Sequence, residues 1–497
     1  MNNTPSQQEL YHEIFGSVLD RTDMTPYLLL KTADYGTSLK QATKIMGNRG
    51  FDTLGGEELG KSEKARARTY IDNAYRYCFV HMFPFLKEQL VKLTKLGSGN
   101  HLFYETCLKS ISTIEEVLTD QHLREIIDDD SRHLFLLASS KKYPHVFHGY
   151  KDRDMSVPER WQLMACSLLK VAYLIKSIEE DSQDINDYTQ LGLFLELQEQ
   201  SLHDLYNVDW ANPVNLPDSD AAKRAYVKIA TFFLKLKESV TSDLKKNCLI
   251  FDSGDGVEID IVEIKSRLKS PASISTKLGK DVEGEAHNIR DILAITFILK
   301  SRDDTLKLFH ALQKRGVILQ ENTLSSSLTQ TLFKDPESMS HAVKSLMISL
   351  SKSGDTDFLF DDKDIQIHTQ AFYKALSMNA ANNPYTSVGH KKLQCKINFS
   401  VPIHRSSISN DIMIPGTQEY KERASQNKTT EQHTLALELR ISDEKSWMES
   451  EYRQDANHDA YKFRQLIAVM NRLFKGFFHL PEENHAKLRE DQKKMFA

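Results

Sequence analysis

One apolar run constrains the fold of this chain more than any other stretch. From Ile292 to Leu299, every side chain except that of Thr296 is apolar. A strand that is covered on both faces reads as a near-continuous apolar run, whereas a strand with one wet face alternates. The run therefore predicts a buried central strand of a sheet, with Asp291 directly before it at the mouth of that strand.

A second strand and a cluster of cations precede this run. Residues 257–261 alternate between apolar and polar side chains, which is the period of a half-buried strand. Ser270 and Pro271 then predict a helix start, because serine can cap free amides and proline fits the first helical position. The cations of this stretch are Lys265, Arg267, Lys269, Lys277 and Lys280.

Cations followed by an acid suit the transfer of phosphoryl groups. Catalysis of such transfer is mostly positioning and charge neutralisation. Lysine and arginine side chains can neutralise a polyphosphate, and the carboxylate of Asp291 can hold a divalent ion. A cluster of cations alone is more often a solvated face, and an aspartate before a strand is more often a turn residue. The two features in this order favour a nucleotide site.

This ordered set of residues resembles the RelA/SpoT-type alarmone synthetase domain, over about residues 250–465. The family's run is Arg-x-Lys, a Ser four residues past the Lys, a second Lys, and then Asp-hydrophobic-x-Ala-hydrophobic. The matching residues in this chain are Arg267, Lys269, Ser273, Lys277 and Asp291 with the four residues that follow it.

The resemblance implies an α+β fold, in which a mixed-sheet, nucleotidyltransferase-like synthetase domain follows an all-helical domain. It also implies an ATP-dependent pyrophosphokinase that moves the β,γ-pyrophosphate of ATP to the 3′-hydroxyl of a guanosine nucleotide, giving ppGpp or pppGpp. In this family-based assignment Asp291 and Glu438 are catalytic and hold Mg²⁺. The implied ATP-binding residues are Arg267, Lys269, Ser273, Lys277 and Arg302.

The residues for the acceptor nucleotide come from a loop and from the last strand. Residues 382–387 resemble the family's Asn-Gly-Tyr-x-Ser loop, whose Tyr stacks on the acceptor base, although Pro384 replaces the Gly. Stacking on an aromatic face contributes ~1–3 kcal/mol per base. The implied acceptor-binding residues are Asn383, Tyr385, Ser387, His390 and Arg440.

The last strand is predicted from the alternation of leucine and isoleucine over residues 435–441. It resembles the family's Glu-x-Gln-x-Arg segment, with Arg440 at the Arg position, Glu438 at the Gln position and Ala436 at the Glu position. Because strand side chains repeat every two residues, Glu438 points to the same face as the family's Glu. Its carboxylate is displaced along the strand by about 6.6 Å, which is two residues of rise.

The N-terminal half is predicted to be helical, with long helices at residues 62–96, interrupted at Pro84, and at 102–127, 157–180 and 220–246. Its single His-Asp pair, His203-Asp204, does not lie in an apolar helix that would bury a metal dyad, so no hydrolase is predicted there. We expect a helical regulatory or recognition domain over residues 1–246. The synthetase domain would span 247–480, with an insertion at about 322–381, and a charged tail would follow over 481–497.

Composition predicts a cytoplasmic protein. The net charge of −5 gives no global basic field for nucleic acid, so any contact with tRNA would need a local patch. The N-terminus is polar and has no secretory signal pattern, and the apolar runs are far shorter than a membrane span. The 5 cysteines are scattered, which favours reduced thiols over disulfides or a zinc site.

Three functions stay open at this point. The first is synthesis of guanosine tetra- or pentaphosphate. The second is the same transfer to an adenosine nucleotide or to the 3′ end of tRNA, which the altered Tyr385 loop and the extra helical domain suit. The third is a decayed synthetase fold that binds nucleotides without turnover, which the displaced Glu438 suits.

Overall fold

The computed structural model of the protein describes most of the chain beyond residue 60. The described residues are 61–96, 101–129, 132–139, 158–179, 183–199, 216–280, 289–324, 327–352, 354, 361–377, 391–415, 417–423, 428–452 and 458–478. Within them, no helix is both long and apolar enough to cross a membrane.

The chain divides into two compact units. The first comprises Met1–Asp181, Ser275–Ala286 and Lys462–Met495, and the second comprises Ser182–Ile274, His287–Tyr461 and Phe496–Ala497. The predicted boundary at residue 246 therefore falls inside the second unit, and the helices between residues 183 and 237 belong with the sheet rather than with the N-terminal helices.

Fifteen helices are labelled in chain order over the described residues. They are α1 (Lys61–Arg76), α2 (Phe83–Lys95), α3 (His101–Leu118), α4 (Gln121–Asp129), α5 (Arg132–Ser139), α6 (Glu159–Glu179), α7 (Gln183–Leu197), α8 (Asp220–Lys237), α9 (Pro271–Lys280), α10 (Thr305–Lys314), α11 (Pro336–Lys352), α12 (Asp362–Ser377), α13 (Gln418–Arg423), α14 (Glu444–Tyr452) and α15 (His458–Leu473).

The first unit is helical in its described part, as predicted for the N-terminal residues. The interruption expected at Pro84 is a π-helical turn, Tyr77–Met82, directly before α2. The Tyr77 hydroxyl lies 3.0 Å from Thr276 Oγ1, and the rings of Phe83 and Phe474 are 5.9 Å apart, so the C-terminal residues of the unit pack against its N-terminal helices.

The second unit is built on a seven-stranded mixed sheet with the order β1-β2-β3-β4-β7-β6-β5. The pairing of β4 with β7 is parallel, and the other pairings are antiparallel. The strands are β1 (Val240–Asp243), β2 (Cys248–Asp252), β3 (Glu258–Leu268), β4 (Leu293–Leu299), β5 (Thr329–Gln330), β6 (Leu393–Ser406) and β7 (Lys428–Asp443).

Strand β4 is the central strand, and all seven of its residues are buried. This confirms the prediction from the apolar run. The α+β class is also confirmed, and residues 336–352 of the predicted insertion form α11.

The two faces of the sheet differ in polarity. Leu293, Leu437 and their odd-numbered neighbours on β4 and β7 point to one face, because register partners share a side. That face is covered by α7 and α8: the ring of Phe232 on α8 is 5.4 Å from that of Phe399 on β6. The even-numbered residues of β4 and β7 therefore form the other face, which carries the charged side chains.

The observed bounds of two elements differ from the predicted ones. The helix expected to reach Lys246 ends at Lys237, because the residues that follow pair as β1 with β2 instead. The last strand, predicted over residues 435–441, begins earlier, since β6 and β7 stay paired out to Ser406 and Lys428. A long antiparallel pairing of this kind is not visible in a single strand's sequence.

A buried ion cluster joins α7 to α8. The Lys228 ammonium lies 2.7 Å from Asp184 Oδ1 and 3.9 Å from Asp187 Oδ2, and Arg224 Nη2 donates to Asp187 Oδ1 at 2.7 Å. The side chains of Lys228 and Asp187 have no exposed surface. Removing one partner of such a cluster leaves an uncompensated buried charge.

Asp187→Ala is therefore expected to lower the free energy of unfolding of the second unit by about 3–5 kcal/mol. Urea denaturation followed by far-UV circular dichroism measures this loss. Glu196→Ala, an exposed position on the same helix, is the matched control and should change stability by less than about 0.5 kcal/mol. Equal stabilities for the two variants would contradict a structural role for the cluster.

Candidate functional site

Two rows of side chains cross the charged face of the sheet. In the first row Arg267, Ala294, Glu438 and Lys396 are register neighbours, and in the second row the neighbours are Lys265, Thr296, Arg440 and Gln394. The short side chains of Ala294 and Thr296 on the central strand leave space between the charged groups on either side. Side chains from four separate strands thus form one surface, which we call the charged floor.

Asp291 lies at the mouth of β4, as predicted, and it is paired with a lysine. Lys269 Nζ donates to Asp291 Oδ2 at 2.7 Å, and the two side chains are 11% and 15% exposed. The backbone supports this contact, because the Lys269 N–H donates to the Ile292 carbonyl at 2.8 Å. The cationic turn and the acid therefore meet at the edge of the charged floor.

Glu438 is buried and held by the neighbouring arginine. Arg440 donates to Glu438 Oε2 from both Nε, at 2.9 Å, and Nη2, at 2.5 Å. Burial alone would raise the pKa of Glu438, but the positive charges of Arg440 and Lys392 outweigh it and lower that pKa to about 2. The carboxylate is therefore ionised at every pH at which the protein would work.

Two cavities lie over this floor and share a wall. The larger, which we call the β3 cavity, has a volume of about 240 Å³ and is lined on its own side by Lys265, Ser266, Arg267 and Ala294. The smaller, the β6 cavity, has a volume of about 30 Å³ and is lined on its own side by Lys391, Lys392, Ser442 and Ser450. The residues common to both are Thr296, Arg440, Trp447 and Glu451.

Helix α14 contributes Trp447 and Glu451 to the wall that the two cavities share. Trp447 is half-buried there, and Lys265 Nζ lies 5.3 Å from the centroid of its ring. Arg302 holds the start of this helix, since its Nε donates to Asp443 Oδ2 at 3.0 Å and its Nη2 donates to Ser446 Oγ at 2.8 Å.

Lys392 has the most perturbed lysine pKa at the site. It is half-buried directly before β6, within the electrostatic reach of Arg440 and Glu438. Desolvation by burial, followed by repulsion from Arg440, lowers its pKa to about 7, and the attraction of Glu438 offsets only part of this. Near neutral pH the lysine can therefore be present in either protonation state.

The predicted site residues divide into three groups. Arg267, Lys269, Asp291, Glu438 and Arg440 come together on and beside the charged floor. The acceptor-loop residues Asn383, Tyr385, Ser387 and His390 lie outside the described residues, as does the His203-Asp204 pair.

The remaining predicted residues are not among those that line the two cavities. The Ser273 hydroxyl lies 3.0 Å from that of Ser270, in the first turn of α9. Arg302 is engaged with the start of α14, and Lys277 belongs to the first unit.

Sequence reasoning missed Lys392 and Trp447. The lysine has the same parity as Lys396 and Gln394 on the following strand, so the alternation of β6 could have placed it on the charged face. The tryptophan follows the last strand by a few residues within a helix, and no pattern in that helix separates a cavity residue from a core residue.

The two carboxylates have the chemistry of a magnesium site. Among the described residues, no group of three or more His, Cys, Asp and Glu side chains is arranged to hold a metal ion. Mg²⁺, however, is usually bound by one or two carboxylates together with phosphate oxygens of a substrate. Asp291 and Glu438, at the edge and on the floor of the charged face, are the two carboxylates that would hold such an ion.

Comparison with known proteins gives no protein-family model that matches the chain, no similar curated protein and no similar solved structure.

The lowered pKa of Lys392 makes a prediction about stability. In the unfolded chain this lysine has its ordinary pKa of 10.5, so between about pH 7 and 10.5 the unfolded state binds more protons and the wild type gains stability as pH rises. Lys392→Met removes the titration. We expect the variant to be more stable than the wild type at pH 6, and this advantage to shrink above pH 7.

Urea unfolding at pH 6, 7, 8 and 9 in magnesium-free buffer measures the effect. Lys421→Met, an exposed position on α13, is the control and should differ from the wild type by the same small amount at each pH. If the difference in free energy of unfolding between Lys392→Met and the wild type stayed constant from pH 6 to pH 9, the pKa of Lys392 would not be lowered in the folded protein.

Proposed function

We propose that the protein is an ATP-dependent pyrophosphokinase with a nucleotidyltransferase-like sheet, which transfers the β,γ-pyrophosphate of ATP to the 3′-hydroxyl of a guanosine nucleotide. The observation that carries this proposal is the register of β3, β4 and β7. It sets Arg267 and Glu438 on either side of Ala294, on the face that Lys269 and Asp291 border. The β3 cavity, of about 240 Å³, lies over this face.

The cations of the site would bind the triphosphate. Arg267 can form two parallel hydrogen bonds to phosphate oxygens, which lysine cannot do. Its guanidinium interacts electrostatically with Arg440, Glu438, Glu451 and Asp291, so a phosphate bound to it would lie near both carboxylates. Lys265 on the same strand adds a second positive charge to the β3 cavity.

The two carboxylates would hold the divalent ion. Asp291 and Glu438 are the ligands, and Mg²⁺ bound by them would neutralise charge on the phosphate oxygens. The displacement of Glu438 from the family's position is consistent with this role, because the residue pairs in register with Ala294 and still interacts with Asp291. Lys269 would keep Asp291 oriented towards the floor.

A second candidate is a nucleotide-binding protein without turnover. Its support is that both carboxylates already hold a cation of the protein: Asp291 pairs with Lys269, and Glu438 pairs with Arg440. Such a protein would bind the triphosphate through Arg267 and Lys265 without transferring it.

Thin-layer chromatography of reactions with γ-labelled ATP and Mg²⁺ separates these functions. GDP, GTP, ATP and tRNA are supplied in separate reactions, and the proposed function predicts a labelled guanosine product with an equal amount of AMP. Label on an adenosine nucleotide or on tRNA would instead identify another acceptor. Binding of ATP with no AMP released for any acceptor would overturn the transferase and favour the binding protein.

Asp291→Asn is expected to lower the transfer rate by a factor of at least about 100, because losing a ligand of the ion removes several kcal/mol of transition-state stabilisation. The circular dichroism spectrum should be unchanged. Asp411→Asn, an exposed aspartate after β6, is the control and should keep the wild-type rate. Full activity of the Asp291 variant would disprove its assignment as a metal ligand.

A further inference from the structure

We propose that the indole ring of Trp447 is the surface on which the β3 cavity stacks the purine base of the donor nucleotide. This inference rests on the proposed function, because it names the part of the same site that recognises the base. Sequence reasoning placed no ATP-binding residue in the segment that forms α14.

The composition of the cavity walls leaves one surface for a base. Trp447 is the one aromatic side chain among the described residues that line the two cavities. The other lining groups are charged, hydroxyl-bearing or small, and the cations among them suit phosphate. A purine needs an apolar plane of its own size, and the two fused rings of an indole provide one.

The ring of Trp447 is covered by a side chain that can be displaced. Lys265 Nζ lies 5.3 Å from the ring centroid, which is a cation–π contact, and its other partner is Glu263 at 3.4 Å. Both charged side chains are substantially exposed, at 34% and 48%. Exposed contacts of this kind are weak, so a base can take the place of the ammonium at little cost.

Displacement from the ring would also leave the Lys265 ammonium beside the phosphates of the nucleotide. It extends from β3 two residues before Arg267, and strand side chains two residues apart share a face. An ammonium that leaves the ring therefore stays beside the guanidinium that we assign to the triphosphate. Stacking of the base and neutralisation of the phosphates would occur together.

The helix that carries Trp447 is fixed at its start. Asp443 Oδ1 accepts from the Ser446 N–H at 3.0 Å, and Arg302 bridges Asp443 and the Ser446 hydroxyl. The guanidinium of Arg302 is thus engaged with α14 and does not line the β3 cavity. The tryptophan next to Ser446 is held in a set position, as a stacking surface must be.

Isothermal titration of the full chain with Mg²⁺-ATP, and separately with inorganic tripolyphosphate, tests the proposal. Trp447→Leu keeps an apolar side chain but removes the aromatic plane, so it should weaken ATP binding about tenfold to a hundredfold. It should leave the affinity for tripolyphosphate within about twofold of the wild type. Trp447→Phe should bind ATP within about threefold of the wild type.

Fluorescence supplies a second readout. ATP should quench the tryptophan emission of the wild type and of Trp161→Phe, which changes a tryptophan of the first unit. The quench should be absent from Trp447→Phe although that variant still binds ATP.

Two results would overturn the inference. One is wild-type ATP affinity in Trp447→Leu, and the other is an equal loss of ATP and tripolyphosphate binding, which would make the tryptophan a packing residue only. Failure of the stacking inference is distinguishable from failure of the proposed function. Pyrophosphate transfer with normal ATP affinity in Trp447→Leu would refute the stacking alone, and selective loss of ATP binding in a protein without transfer would refute the transferase alone.

Discussion

The hydrogen-bonded pairing of β4 with β3 on one side and β7 on the other is the interaction on which the candidate site depends. Antiparallel pairing with β3 sets Arg267 beside Ala294, and parallel pairing with β7 sets Glu438 on its other side. A slip of one residue in either pairing would turn the charged side chains to the opposite face, where α7 and α8 pack. The burial of the leucine and isoleucine face therefore fixes the position of the charges.

The two carboxylates of the site are each paired with a cation. Glu438 is 5% exposed, and a carboxylate so deeply buried is tolerated because Arg440 donates two hydrogen bonds to it. Asp291 is held in the same way by Lys269. These hydrogen bonds fix the orientation of both carboxylates, and Arg440 also keeps Glu438 ionised.

The sequence predicted β3, β4 and β7 and their faces but not β1, β2 or β5, because a period of two is a local property that shows only in the longer or more apolar strands. The alternation along β7 placed Glu438 and Arg440 on one face together, and the apolar run identified β4 as the central strand. The helix predicted as far as Lys246 was wrong beyond Lys237, because no helix-breaking residue marks that end and only pairing with β2 makes a strand there.

Residues that reach the site through tertiary packing could not be predicted. Trp447 lies in a helix, and the direction in which the helix points it depends on the contacts of Arg302 with Asp443 and Ser446. Burial, followed by the charge of Arg440, lowers the pKa of Lys392, and both depend on residues distant in the chain. Periodicity indicates the face of Lys392 but neither its pKa nor the direction of Trp447, whereas the basic turn and the acid after it lie close together in the sequence.

A crystal structure of the protein with Mg²⁺ and α,β-methylene-ATP tests the central claim most directly. If the charged face of the β3–β4–β7 sheet is a nucleotide site, the triphosphate will lie in the β3 cavity, in contact with Arg267 and close to Asp291 and Glu438. A nucleotide bound on another surface of the protein, with this cavity empty at saturating concentration, would contradict the account.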